Sequence, residues 1–395
     1  MKKIFQEPSV WLLIFLVGFP QISETIYTPS LPELASLMHA TGNQIQQTLS
    51  IYFLGFALGV LCWGILCDKV GRRPSMLYGI LIYILGSLGC LFSSSIELLL
   101  LSRFIQAYGA AAGSIVTQTV MRDIYDDVRR PHIFAKVSAV LAFSPAVGPL
   151  LGSIIAQYLG VNYVFVFLVL LGGFAFFSTH IGLSETMHKR DNSQKLLSTL
   201  KSMITDKLIW IYAGSIGVIN GVIFSYYAEA PFIFISSLGF TTLEYGFLGL
   251  SVAIASFVGA VLGKKLIRAY HYTTVMLTGY VLMMIGSLIF LVVAYLSLSL
   301  LISTLGFILG VFLVMVGIGV ALPSCLSNAL LNYKSSLGVA GAFLGLLYYL
   351  IVGIITEGIS FLHTGSTLVL PLYFIVLSLV LSLLTMILRK FIVKN

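Results

Sequence analysis

Two ionisable side chains in this sequence stand inside long apolar runs. Glu24 lies about fourteen residues into the first run, roughly 20 Å along a helix at about 1.5 Å per residue. Arg103 lies a few residues into the fourth, on the order of 8 Å from its outer end by the same rise. The two therefore fall at similar depth. A charge at the centre of a bilayer span costs about 2.5 to 3.5 kcal/mol on the insertion scale, so each needs a reason. Desolvation favours the neutral form of a carboxyl and a close cation favours the ionised form, so a movable Glu24–Arg103 contact would be a proton switch. The alternatives are an arginine satisfied by backbone carbonyls and a glutamate that snorkels outward. Glu229 and Glu357 stand near the outer ends of later runs, and both are expected to face outer water. No histidine falls mid-run, so a carboxylate is the expected proton carrier rather than an imidazole.

A second knot of charge, Gly64 to Leu77, sits between two apolar runs and carries Asp68, Lys69, Arg72 and Arg73 within a few residues. Gly64 and Gly71 allow two helix ends to approach. Asp68 can cap or form an ion pair, and the arginines can hold orphan carbonyls or acidic partners. A plain turn obeying the positive-inside rule is the alternative.

These residues must be positioned by membrane helices. In 395 residues, 58% are hydrophobic and 9% charged, against about a quarter charged in soluble globular chains. At about 20 residues per span the apolar runs divide into twelve, near 10–31, 45–66, 75–94, 98–121, 133–157, 162–183, 208–231, 244–266, 273–295, 300–323, 338–361 and 367–388. The first has Lys2 and Lys3 ahead of it but no small-residue cleavage site, so it reads as a retained span. With twelve spans, every lysine and arginine except Arg103 falls on one face, which is thereby expected to be cytoplasmic together with both termini. The longest connection, polar and charged, predicts three parts: a bundle over 1–184, a linker over 185–207 with a surface helix near 196–204, and a bundle over 208–395. Two six-span halves suit a pseudo-symmetric transporter. In the second half Gly259, Gly263, Lys264 and Lys265 keep the glycine and base of the first half's knot without its acid.

The four cysteines have no metal-ligand spacing, and no metal or cofactor is expected. The charge of +8 is scattered over short loops, which argues for topology and against nucleic acid. Zincin, nucleophile-elbow and phosphate-loop motifs are absent from the sequence, which argues against an enzyme, and no segment outside the spans is long enough to fold as a receptor domain. Pro145, Gly148, Pro149 and Gly152 would bend the fifth span and let a neighbour pack closely. Tyr27, Tyr52, Phe53, Gln118, Asn220, Phe224, Tyr227 and Tyr348 are the candidates to line an adaptable pocket, although most aromatics at helical spacing serve packing.

Gly64-x-Leu66-x-Asp68-Lys69-x-Gly71-Arg72-Arg73 resembles the loop signature of the major facilitator superfamily between its second and third helices. That resemblance implies an all-α fold of twelve transmembrane helices in two six-helix bundles. It also implies a cytoplasmic gate at Gly64, Asp68, Gly71, Arg72 and Arg73 that ties helices 2, 3 and 11 together while the cavity faces outward. The run from Arg103 through Gln106 to Gly109 and Ala112 resembles the span-4 signature tied to proton coupling, with Ala107 at its usual glycine. Gly148-Pro149-x-x-Gly152 resembles the antiporter signature, with Ser144 and Ser153 for two of its glycines, which implies export. Tyr27-Thr-Pro29-Ser-Leu-Pro32, Arg122-Asp123 and Ala230-Pro231-Phe232 resemble the Bcr/CflA drug exporters. That group often has an acid at the place of Thr25. One residue turns a helix by about 100 degrees, which leaves the facing of Glu24 open. The resemblance implies a monomeric, proton-coupled exporter of amphipathic small molecules in a bacterial inner membrane, with a dedicated metabolite or siderophore carrier as the alternative. Partners are then the substrate, protons and the lipid bilayer.

Overall fold

The structure, a computed structural model, describes residues 7–126, 128–141, 144–187, 193–296 and 298–394. Among these it is helical throughout, with no strand. A chain this apolar has that outcome imposed on it, because a lipid-facing backbone can satisfy its N–H and C=O groups only within a helix or a closed barrel. In order, the helices are α1 (Val10–Thr25), α2 (Leu31–Leu37), α3 (Gly42–Val70), α4 (Arg72–Leu91), α5 (Ile96–Ile124), α6 (Arg129–Leu141), α7 (Ser144–Leu159), α8 (Asn162–Gly182), α9 (Ser193–Thr205), α10 (Lys207–Pro231), α11 (Thr242–Leu266), α12 (Tyr272–Leu296), α13 (Leu300–Ala329), α14 (Leu337–Leu362) and α15 (Val369–Lys394). Among the described residues, eleven helical stretches are long and apolar enough to cross a membrane, and α6 with α7 occupies the place of the remaining span.

Two spans depart from expectation. The first is not one helix over 10–31. It stops at Thr25, passes through a tight turn at Thr28–Ser30 and continues as α2 to Leu37. Pro29 and Pro32 sit in the first turns of the two following pieces, where a missing N–H is harmless, and Thr28 closes the break by donating to the Thr25 carbonyl at 2.8 Å. The fifth span, expected over 133–157, is the pair α6 and α7, and Pro149 is carried inside α7. Pro145 belongs to α7 by its backbone, and its side chain lies outside the described residues, as do Lys2, Lys3, Lys189 and Arg190. The surface helix expected near 196–204 is α9.

A repeat two hundred residues long is written into the helix contacts. Thr41 and Gln44 form a capping box at the start of α3, and Thr241 and Glu244 form the same box at the start of α11. Gly79 and Gly86 of α4 meet α5 at Gly109 and Gln106, and Gly279 and Gly286 of α12 meet α13 at Gly317 and Gly310. Ser87 and Ser287 each donate back to a carbonyl four residues earlier, from Tyr83 and Met283. The helices accordingly pack as two groups, α1 to α8 and α10 to α15. They meet along a seam in which α3 lies on α14, α7 lies on α11, and the Thr28–Ser30 turn and α2 lie on α10.

Candidate functional site in the seam between the bundles

Arg103 is fully enclosed, and the reason it can be is aromatic. Its guanidinium carbon sits 4.1 Å from the ring centre of Tyr27 and 4.3 Å from that of Tyr52, so two π faces replace the water it has lost. Its Nη1 donates to Gln106 Oε1 at 2.5 Å and to the Ser23 carbonyl at 3.4 Å, while Nε and Nη2 have no hydrogen-bond partner. Glu24, next along the chain from Ser23, is 4% exposed and its Oε1 is likewise without a partner. The two charges feel each other but form no ion pair. The carboxyl also lies within electrostatic reach of Tyr52, Tyr348 and Tyr349.

Aromatic rings fill the centre of the seam. Phe53 of α3 meets Phe224 of α10 at 4.3 Å between ring centres, Phe56 meets Tyr349 of α14 at 4.6 Å, and Tyr348 and Tyr349 lie 4.4 Å apart. On α5 the partly exposed residues Ser114, Gln118 and Arg122 recur every fourth position, and on α10 Asn220, Ile223 and Phe224 do the same at helical spacing. These stripes of partial exposure run along helices that are otherwise deeply buried.

At the basic end of the molecule, Arg72 draws three helix ends together. It pairs with Asp68 at 3.1 Å and with Asp123 of α5 at 2.7 Å, and its Nη1 donates to the Cys67 carbonyl at 2.9 Å. Gly71 turns the chain at φ 107, a conformation that suits glycine. A Cβ there would run into the Glu185 carboxylate, which accepts the Arg72 and Arg73 amides at 3.0 and 3.1 Å and so caps α4. The expected tie to helix 11 is absent among the described bonds of Asp68 and Arg72. The knot joins α3, α4 and α5, and a Cβ on Gly64 would stand 3.4 Å from Ala342 of α14.

At the opposite end a polar clasp crosses the seam. Asn43 Nδ2 donates to the carbonyls of Ser360 at 2.9 Å and His363 at 3.1 Å, and Ser360 Oγ returns a bond to the Asn43 carbonyl at 2.6 Å. Gln46 Nε2 donates to Glu229 Oε2 at 2.7 Å, Gln47 Nε2 donates to Glu357 Oε1 at 2.8 Å, and Ser50 Oγ donates to Glu357 Oε2 at 2.5 Å. The expectation that Glu229 faces outer water is thus overturned, while Glu357 is half-buried. Glu229 is 1% exposed and both carboxylates serve donors from the other half.

The model of the Major Facilitator Superfamily matches residues 10–356. The chain belongs to that superfamily. Relatives include an uncharacterized transporter of Rickettsia bellii, 36% identical over 384 residues and covering 95% of each chain. A chloramphenicol resistance protein of Pseudomonas aeruginosa is 29% identical over 339 residues, 85% of this chain and 78% of that one. The fold matches the crystal structure of a D-xylose-proton symporter with TM-score 0.74 at 14% identity, over 94% and 96% of the two chains. This is therefore a multi-pass membrane transporter with the superfamily fold, and not an enzyme.

Within that superfamily fold, Gly148 and Gly152 receive the end of α1. A Cβ on Gly148 would strike Thr25 Oγ1 and one on Gly152 the Ile26 carbonyl, while Pro149 and Ser153 face Gly249 and Gly246 of α11. The fifth-span glycines thus press on the residues that follow Glu24. Of the pocket candidates, Tyr52, Phe53, Phe224, Tyr227 and Tyr348 lie in or beside the aromatic seam. Tyr27 instead stays inside the first bundle, with its hydroxyl 2.9 Å from Thr48 Oγ1. Gln118 contacts Ser114 on its own helix at 3.4 Å, and Asn220 Nδ2 donates to the Ile216 carbonyl at 2.8 Å. Phe56, Tyr349, Glu185, Gln46, Gln47 and His363 were not among the expected site residues. The polar pair Gln46-Gln47 at the head of an apolar run was the signal that could have pointed to the clasp.

Proposed function

We propose that this transporter is a monomer that expels amphipathic small molecules in exchange for protons, working by alternating access in a bacterial inner membrane. The observation that carries the reading is the buried Glu24 carboxyl, with an unpartnered oxygen, at the edge of an aromatic cleft and within reach of an arginine it does not yet touch. In this reading Glu24 and Arg103 make and break contact as the proton is gained and released. The rings of Tyr52, Phe53, Phe224, Tyr227, Tyr348 and Tyr349 offer apolar substrates broad, adaptable faces. The glycines of α7 transmit movement of that span to α1. Relatives named for chloramphenicol and multidrug resistance support export of drug-like molecules. The basic end, with both termini, is taken as cytoplasmic from the charge distribution, and the halves divide as 1–184 and 208–395 about a linker at 185–207. With the basic end so taken, the clasp at the other end supports reading this as the state closed to the outside.

The test is accumulation of fluorescent lipophilic cations and of neutral drugs in cells expressing the protein, with and without a protonophore. Lower accumulation that returns to the control level with protonophore, and is lost in Glu24→Gln, is the expected result. Unchanged accumulation across the panel would overturn drug export in favour of a narrow metabolite carrier.

A further inference from the structure

At the acidic end of the seam the charges are engaged in the clasp, but at the basic end one charge is left over. The described carboxylates there all have partners. Asp68 pairs with Arg72 at 3.1 Å, Asp123 with Arg72 at 2.7 Å, and Glu7 with Arg129 at 3.2 Å. Glu185 accepts the amides of Arg72 and Arg73, and Asp126 accepts those of Val128 and Arg129 at 3.1 and 2.7 Å. Asp206 accepts the amide of Leu208 and the hydroxyl of Tyr333, each at 2.9 Å. Arg122, at the end of α5, is left without a counter-ion. Its Nη1 is buried with no hydrogen-bond partner, and among the described residues no ion pair reaches its side chain. The charges it feels are Arg130, of like sign, and Asp123, which is turned to Arg72. Opposite it stand Gly338 and Gly341, in the first two turns of α14, where a Cβ would lie 3.7 Å from Nη1 and from Nη2 respectively. Two glycines one turn apart therefore leave the guanidinium uncovered by any side chain of their own, beside a helix end whose peptide dipoles favour a negative charge. A buried guanidinium nitrogen that faces no acceptor is costly, and the group that satisfies it best is a carboxylate or phosphate.

We propose that Arg122 recognises an anionic group, a carboxylate or phosphate, on an amphipathic small molecule that enters from the basic end. The inference rests on the reading of this protein as a carrier of amphipathic molecules and deepens it by giving the substrate a negative charge. The geometry also gives a length. Ser114, Gln118 and Arg122 share one partly exposed face of α5, so a molecule anchored at Arg122 meets an amide and then a hydroxyl along that stripe. On α14, partly exposed Tyr348 lies seven residues beyond Gly341, about 10 Å along the helix axis, with the ring of Tyr349 at 4.4 Å. An anionic head at Arg122 thus needs an apolar or aromatic tail of about 10 Å to reach the rings. α5 is packed against α1, α3 and α4, and Arg122 turns toward α14 of the other bundle. The anion is therefore that of a small molecule in the seam rather than of a lipid headgroup at the outer surface of a bundle.

The test is calorimetric binding of ω-phenylhexanoate, whose chain separates ring from carboxylate by about that length, and of its neutral amide. Both are titrated into the full-length protein in phosphatidylcholine nanodiscs, with empty nanodiscs as the blank. Wild type is expected to bind the carboxylate about tenfold tighter than the amide. Arg122→Gln is expected to weaken the carboxylate about tenfold and to leave the amide within about twofold, so that a variant which had merely lost its fold, and with it both ligands, is told apart. Arg122→Lys is expected to keep part of the preference, as a point charge without the planar fork would. Native mass spectrometry of protein released from nanodiscs containing phosphatidylglycerol separates the two sources of anion: an anionic lipid retained by wild type and lost in Arg122→Gln would overturn the small-molecule assignment. Equal affinity for carboxylate and amide in wild type, binding of neither, or a preference that survives in Arg122→Gln would overturn the site. Equal affinity would leave the carriage of amphipathic molecules standing, whereas loss of protonophore-sensitive export with the carboxylate preference intact would overturn the exchange and support the site.

Discussion

Arg72 contacts two carboxylates and a backbone carbonyl through one planar guanidinium, a geometry that an ammonium on a flexible stem does not reproduce. Arg72→Lys is therefore expected to lower stability by about 1.5 to 3 kcal/mol, the usual worth of a hydrogen bond to a charged group. Thermal unfolding in detergent checks this through a lower midpoint. At this scale the sequence announced some roles and hid others. Asp68, Arg72, Arg103 and Glu24 are charges in apolar company, and that anomaly is visible in one dimension. Glu229 and His363 looked unremarkable because each stands near the end of an apolar run, where water is the default neighbour. Their burial depends on residues 183 and 317 positions away along the chain, a juxtaposition that local pattern does not encode. The partners of Arg72 were hidden for the same reason. Its acid partner on α5, Asp123, belongs to a run read separately, and Glu185 belongs to what was read as linker.

Helices that carry glycines at their crossings can be tested one position at a time. Gly152→Ala places a methyl group against the Ile26 carbonyl, where backbone on both sides leaves nothing to yield, so α1 and α7 must separate. The expected outcome is a clear loss of folded, monodisperse protein in detergent chromatography. Gly173→Ala is the matched control. Nothing stands within 4 Å of its would-be Cβ, and an alanine in a helix is favoured over glycine by about 0.5 to 1 kcal/mol, so its yield is expected to equal or exceed wild type. Most spans were legible at this scale because length and hydropathy alone define them. The break after Thr25 was less so, since Pro29 and Pro32 are compatible both with a helix that ends and with one that restarts. The repeat was legible only in part. The pairs Gly79 with Gly279 and Thr41 with Thr241 are exact in spacing, yet their meaning emerges from the neighbours they meet rather than from their types.

For the whole molecule, the proposed alternating access requires the acidic end to open. Ser153 of α7 and Gly246 of α11 meet there, the would-be Gly246 Cβ standing 2.5 Å from Ser153 Cβ. A Gly246→Ala methyl cannot fit against Ser153, so α7 and α11 must move apart at this end, and the variant is expected to lose folded, monodisperse protein in detergent chromatography as Gly152→Ala does. The seam itself is of two materials. In the middle, Phe53, Phe56, Phe224 and Tyr349 meet ring to ring, held by many small contacts rather than by directed hydrogen bonds. At the rim, each amide and hydroxyl must be let go in a definite geometry. In the proposed exchange between states the rings would serve as a bearing and the rim as a detent, with a small number of well-defined stops.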